Sequence, residues 1–246
     1  VLFLKVNLTD ENIAGTAKGY YGAKFQDLYM SESALYPIFF MHDYNKKSGA
    51  CYRQYTPHTY MLKVSRTDLQ AEEQIKLTGC TVYDRYAVKD FGDYIYVCAT
   101  NQFDGSVVFA YDGDLSEVGK LEKIAPGEEI KSVTYQTGDD VRYCYITTFR
   151  QTDPLFKIDI TNPSEIKLLS ALSIPGYATY LHTLSDEYMI GIGYDGDENN
   201  ADISKIRVSL YDVTDDETRL VNYITISCVA YCEALSNEKA SQKATQ

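Results

Sequence analysis

The 246 residues carry a formal net charge of −12 at 45% hydrophobic content, which argues against disorder and against partners such as nucleic acid or an anionic membrane surface. No apolar run approaches the ~18 residues that a membrane-spanning helix needs; the best candidate, Leu35 to Met41, is interrupted by Pro37. Twenty-three Tyr, nine Phe and no Trp favour half-buried strands and lean the chain toward an all-β fold.

The chain opens in the middle of a strand, Val1-Leu2-Phe3-Leu4, without a signal peptide, as an exported and trimmed product would. One unit then recurs: an alternating apolar strand, a short polar residue, a polar turn and a second strand. The copies are Phe3-Leu4-Lys5-Val6-Asn7, Met61-Leu62-Lys63-Val64-Ser65, Val108-Phe109-Ala110-Tyr111-Asp112, Phe156-Lys157-Ile158-Asp159 and Ser209-Leu210-Tyr211-Asp212. Their anchors, Asn7, Ser65, Asp112, Asp159 and Asp212, stand 58, 47, 47 and 53 residues apart, a blade-length period. The anchor side chain is expected to bond the backbone two residues on and close an Asx or Ser/Thr turn. Two further strands precede each copy, for example Ser132 to Tyr135 and Arg142 to Phe149 around Gly138-Asp139-Asp140.

Four strands per unit predict an all-β fold: a β-propeller of four-stranded antiparallel blades, four to five of them visible, in a partial ring or one closed by the last strands. The expected propeller domain is 1–235, with blades at 1–20 (partial), 21–80, 81–124, 125–173 and 174–227, and a polar tail or linker at 236–246. The stretch 20–60 is the least regular, with a hairpin loop expected at Met41 to Gly49 and an insertion at Gln54 to His58.

Residues 121–235 resemble a secreted bacterial β-propeller family distantly related to WD-type repeats. The resemblance rests on Leu121 to Val133, Thr147 to Asp159, Ile174 to His182, Gly191 to Glu198 and Cys232 to Ala240, with Arg150 to Asp159 the most specific run. It implies an extracytoplasmic module of a longer surface or secreted protein and implies no reaction.

The loop Asp195-Gly-Asp-Glu-Asn-Asn-Ala-Asp202 is the strongest ion candidate. Asp195, Asp197, Asn199 and Asp202 offer alternating oxygen ligands around a Gly turn that suit Ca²⁺, without the bidentate Glu of an EF-hand; a solvated acidic hairpin explains the same residues. Arg150 and Asp153 bracket a strand end, where they fix a loop or contact a ligand. His182 lies in an apolar run and reads as a hydrogen-bonded core or inter-blade residue rather than a catalytic base, while His42-Asp43 and His58 stand where they can meet in space. The six cysteines, Cys51, Cys80, Cys98, Cys144, Cys228 and Cys232, lack zinc spacing; Cys98 and Cys144 read as small core groups, and a Cys51–Cys80 disulfide is compatible with export but not specified by spacing.

No nucleophile elbow, phosphate loop or zinc-protease helix is present. The expectation is therefore a non-catalytic extracytoplasmic binding or scaffold module, at the cell surface or secreted. Its expected partner is a protein or carbohydrate, with self-association or further blades covering open sheet faces. The alternative is a hydrolase acting on an extracellular polymer through channel carboxylates, which the sequence neither places nor removes.

Overall fold

The computed structural model describes residues 1–6, 15–45, 54–138, 141–149, 153–174, 176–196 and 201–227. Its sheets are antiparallel and are built from neighbours in sequence, apart from the strand Cys80–Thr81, which pairs with Tyr94–Asn101. Two compact units emerge, residues 1–128 with 162–166, and residues 129–161 with 167–246.

The first unit begins with a hairpin of β1 (Leu2–Val6) and β2 (Gly15–Gly19). A four-stranded sheet follows in the order β3 (Lys24–Met30), β4 (Ala34–Asn45), β5 (Gln54–Ser65) and β6 (Ala71–Thr78). In the next sheet, β7 (Cys80–Thr81) and β8 (Val88–Asp90) both pair with β9 (Tyr94–Asn101), which continues to β10 (Gly105–Asp112) and β11 (Glu117–Ile124). The second unit holds β12 (Glu129–Thr137), β13 (Arg142–Phe149), β14 (Asp153–Asp159) and β15 (Lys167–Ile174), then β16 (Tyr177–Thr183), β17 (Tyr188–Gly196), β18 (Ala201–Asp212) and β19 (Arg219–Ser227). Four-stranded antiparallel sheets at this spacing are the blade anatomy that the repeat predicts.

The expected turn chemistry is present at every described anchor. Ser65 Oγ accepts from the Thr67 N–H at 3.2 Å, Asp112 Oδ1 from Asp114 and Ser116 at 3.0 and 2.9 Å, Asp159 Oδ1 from Thr161 at 2.8 Å, and Asp212 Oδ1 from Thr214 at 3.0 Å. A short polar side chain satisfies the orphan amides of the turn and so fixes where the third strand of each sheet ends. Asn7 lies outside the described residues.

The core lies between sheets within each unit. In the first, Phe3, Leu35, Val64 and Leu69 form one buried cluster, joined by Tyr20, Leu28 and Leu62. In the second, Tyr145 and Leu155 pack with Ala178, Leu181, Met189, Tyr211 and Val213. Two third strands are enclosed on both faces: Gly105 to Tyr111 of β10 and Leu155 to Ile158 of β14 are buried throughout. A strand enclosed on both sides needs no polar alternation.

Three expectations are corrected. Met41 to Asn45 and Gln54 to His58 are not loop and insertion but the far ends of β4 and β5, paired as Met41↔His58, Tyr44↔Tyr55 and Asn45↔Gln54. His182 is exposed and stacks on Tyr180, ring centroids 6.2 Å apart; a bulge between Ala178 and Tyr180 shifts the strand's parity and turns Leu181 to the core instead. Cys80 is a free buried thiol, so it is not bridged to Cys51, which lies outside the described residues.

Candidate binding site

The first unit contains a cavity of about 450 Å³. Its floor is one face of the β4–β5 ladder, where the pair Phe39↔Tyr60 stands beside Met41↔His58. Strand alternation puts these side chains on one side of the sheet. Leu62 extends the floor, and the connector that runs from Tyr20 to Ala23 forms the wall.

The connector is pinned at its start. Tyr20 exchanges main-chain hydrogen bonds with Val1, N–H to O at 2.9 Å and the amino terminus to Tyr20 O at 2.8 Å. The Tyr20 hydroxyl donates to the Leu69 carbonyl at 2.6 Å, and burial pushes its phenol pKa up. Phe25 meets Phe39 edge-on at 6.0 Å, and Lys76 Nζ lies 5.4 Å from the Tyr60 ring centroid. Tyr21 at the mouth is 98% exposed, a full aromatic ring offered to solvent. A concave, largely aromatic surface with few polar groups suits an apolar or aromatic group.

Beside Met41, His58 is buried and its Nε2 sits 2.8 Å from Asp43 Oδ2. Neither ring nitrogen makes an aligned hydrogen bond. The expected meeting of Asp43 with His58 is therefore real, but His42 points the other way, packing on Phe40 at 4.6 Å and near Tyr55 at 6.1 Å. Among the described residues no three His, Cys, Asp or Glu side chains gather as a metal site would require.

The acidic loop is only partly described. Asp197 and Asn199 lie outside the described residues, and Asp202 is described only as a backbone partner of Asp195. Asp195 Oδ1 stands 3.6 Å from the Arg207 guanidinium and its Oδ2 3.5 Å from the Thr225 hydroxyl. Arg207 is buried, donates from Nε to Ser209 at 3.1 Å and lies 3.8 Å from the Tyr223 ring centroid. Asp195 thus already faces a cation that the chain supplies. Arg150 and the side chain of Asp153 are likewise outside the described residues.

The cavity is not a general feature of the repeat. Counted from the turn anchors, Phe39, Tyr60 and Leu62 correspond to Gly193, Arg207 and Ser209 in the last sheet. There the remaining space is about 10 Å³. Tyr177, Tyr194, Arg207 and Tyr211 line it, and β13 of the preceding sheet approaches β16: Phe149 lies at a tilt 4.5 Å from the Tyr177 ring and Thr147 donates to the Ala178 carbonyl at 2.8 Å. Sequence reading missed the cavity because it depends on where the Tyr20 to Ala23 connector passes over the β4–β5 ladder. The only signal was the density of Tyr between 20 and 60.

A family described as a beta propeller domain matches residues 1–243, and the chain belongs to that family. An uncharacterized protein of Methanocaldococcus jannaschii is 36% identical over 138 residues, 54% of this chain and 21% of its own length. An uncharacterized protein of Archaeoglobus fulgidus is 31% identical over 182 residues, 74% of this chain and 27% of its own length. These relatives are archaeal, whereas the resemblance in sequence pointed to bacterial proteins, and the chain spans roughly a quarter of their length. Among solved structures, cobalt-substituted ACO of Synechocystis is similar at a TM-score of 0.55 and 13% identity, over 92% of this chain and 55% of that one. At that identity the likeness is one of fold.

Proposed function

We propose that the chain is a non-catalytic, extracytoplasmic binding or scaffold module whose cavity takes apolar side chains of a protein partner. The observation that carries this reading is the 450 Å³ cavity walled by Tyr20, Phe39, Met41, Tyr60 and Leu62, with Tyr21 standing free at its mouth. Tyrosine gives contact area at low entropic cost, so such a rim suits recognition. The lining offers little for the many hydroxyls of a carbohydrate, which favours a protein segment. A polymer hydrolase would need a pair of carboxylates facing its substrate; Asp90, Asp112, Asp159 and Asp212 each give one oxygen to a turn amide instead.

The test is selection from a displayed library of random dodecapeptides. Enrichment of aromatic and aliphatic sequences is expected, with binding lost in Tyr21→Asp and Met41→Lys while the melting temperature holds. Absence of enrichment, or enrichment indifferent to both substitutions, overturns the reading.

A further inference from the structure

The cavity of the first unit is uncharged inside but carries a cation at its edge. None of the residues that line it is charged, and Gln74 of β6 brings an amide to its rim. In the β5–β6 ladder Leu62 pairs with Gln74 and Tyr60 with Lys76. Strand alternation therefore puts Gln74 and Lys76 on the cavity side of β6, two residues apart. Lys76 is exposed, and its Nζ lies 5.4 Å from the centroid of the Tyr60 ring, which is part of the cavity floor.

Other lysines of this acidic chain find carboxylates of their own. Lys63, Lys120 and Lys131 stand 3.3, 2.9 and 3.1 Å from Glu72, Glu122 and Glu129. Lys76 makes no ion pair among the described residues; its contact is with the Tyr60 ring. An ammonium carries three donors, and contact with a ring face leaves donors for an anion beside the cavity. We infer that the cavity reads a partner segment in which an apolar side chain is accompanied by an acidic one. The apolar group packs on Phe39 and Tyr60, and the carboxylate accepts from Lys76. This rests on the reading of the cavity as a seat for a partner's apolar side chain. The carboxylate is assigned to an Asp or Glu side chain, because a chain end is captured by main-chain N–H groups, whereas the charge here is a point charge on a flexible stem. In an extended segment, side chains two residues apart share one side at roughly 6.5 Å, the step that separates Gln74 from Lys76 along β6. The expected motif is thus an apolar residue with an acid two positions away. On a chain of net charge −12 the pair acts locally rather than by long-range steering.

Random dodecapeptides serve as the probe. One displayed library holds the random segment internally and a second holds it at a free carboxyl end; each is selected on the full chain and on Lys76→Glu. From the internal library the parent should enrich aromatic or aliphatic residues with Asp or Glu two positions away. Lys76→Glu should keep the apolar residue and exchange the acid for Lys or Arg. For one synthetic peptide selected by the parent, Lys76→Met should weaken binding about threefold, and it should leave the affinity of that peptide's Asn or Gln counterpart unchanged. Melting temperatures of both variants should hold, since Lys76 is exposed. Apolar enrichment without an acidic neighbour, or an acidic preference that persists in Lys76→Glu, overturns this inference and leaves the cavity reading standing. Enrichment confined to the free-end library assigns the carboxylate to a chain terminus and overturns it too. Absence of enrichment in both libraries overturns the inference and the cavity reading together.

Discussion

Lys157 Nζ donates to the main-chain carbonyl of Val213 at 2.7 Å, reaching from the third strand of one sheet into the outer turn of the next. A second bond at 2.7 Å goes to Asp215 O, and the ammonium lies 4.3 Å from the Tyr143 ring centroid. The same link recurs two residues before two other anchors: Lys63 Nζ donates to Gly113 O at 2.8 Å and Lys5 Nζ to Thr67 O at 2.7 Å. A cation held by carbonyl oxygens makes the stronger class of hydrogen bond, so these lysines stitch each sheet to the turn of its successor. Leu210, at the corresponding place in the last sheet, has no such reach.

The stitches differ in burial, and that ranks their contribution. Lys157 is fully buried, whereas the Lys5 bond is exposed. Lys157→Met should cost about 2 kcal/mol, because one buried and one part-buried carbonyl lose a charged donor, and lower the melting temperature by roughly 4–8 °C. Lys5→Met should change stability by less than about 0.5 kcal/mol, with Lys63→Met between them. Urea unfolding of the three variants measures the order; a Lys157 variant as stable as the parent would refute the stitch.

Buried phenols set the alkaline limit of the fold. Burial, first of all, pushes the hydroxyls of Tyr36, Tyr111 and Tyr145 well above the ordinary tyrosine range, with Asp90, Glu117 and Tyr143 adding to the respective shifts. A folded-state pKa raised above the unfolded one gives stability that is fully present below about pH 10 and lost as pH rises above it. The chain should therefore unfold cooperatively above about pH 10, with phenolate absorbance near 295 nm rising together with loss of the β signal. Tyr36→Phe removes one such group along with its 3.1 Å bond to Asp90 and should flatten the alkaline slope. A phenolate signal that rises ahead of unfolding would contradict this.

Turn anchors were the readable layer of the sequence. Ser65, Asp112, Asp159 and Asp212 act through atoms two residues away, so a local motif suffices to place them. Lys5, Lys63 and Lys157 lie inside the same motif, yet a lysine near a strand end reads as solvent-facing until the neighbouring sheet is in position. His182 misled for a related reason: strand parity predicts its face only if no bulge intervenes, and the bulge after Ala178 reverses it. The cavity was the least readable feature. It depends on the Tyr20 to Ala23 connector crossing Phe39 and Tyr60, a contact between segments about twenty to forty residues apart.

Close backbone approach constrains two glycines differently. A Cβ on Gly193 would collide with the Tyr177 carbonyl of the adjacent strand β16, which cannot yield without breaking the ladder. Gly113 has nothing within 4 Å of that position. Gly193→Ala should destabilise by more than about 2 kcal/mol, whereas Gly113→Ala should be neutral or gain a few tenths through a stiffer unfolded chain. Equal melting temperatures for the pair would show that β16 shifts freely.

Acid should loosen the turns before the core. The carboxylate of Asp212 is held below its usual range, chiefly by the Thr214 amide, and Asp68 likewise by the Gln70 amide. A folded-state pKa depressed below the unfolded one gives stability that is present above about pH 4 and lost as pH falls through the lower folded value. Asp212→Asn keeps an acceptor oxygen but removes the charge, so its stability should lie below the parent at pH 7 and converge with it at pH 2. Asp212→Ala loses the acceptor and should stay below the parent at both. Parallel pH curves for the parent and Asp212→Asn would mean that the turn does not feel the charge.

Cys80 offers a kinetic probe of the first unit. Its thiol is buried at the short strand β7 and its pKa is pushed up to about 11, by burial first and by the Glu122 carboxylate second. The thiolate is the reactive form, so a native chain at pH 8 exposes almost none of it at this site. Labelling of Cys80, read by peptide mass spectrometry, should thus proceed only through opening of the β7–β9 pairing at Cys80↔Asn101. Its rate should rise with urea well below the global transition if that edge opens locally, and only at the transition if the sheet opens as one unit. Rapid labelling in native buffer at pH 8 would contradict the buried, raised-pKa thiol.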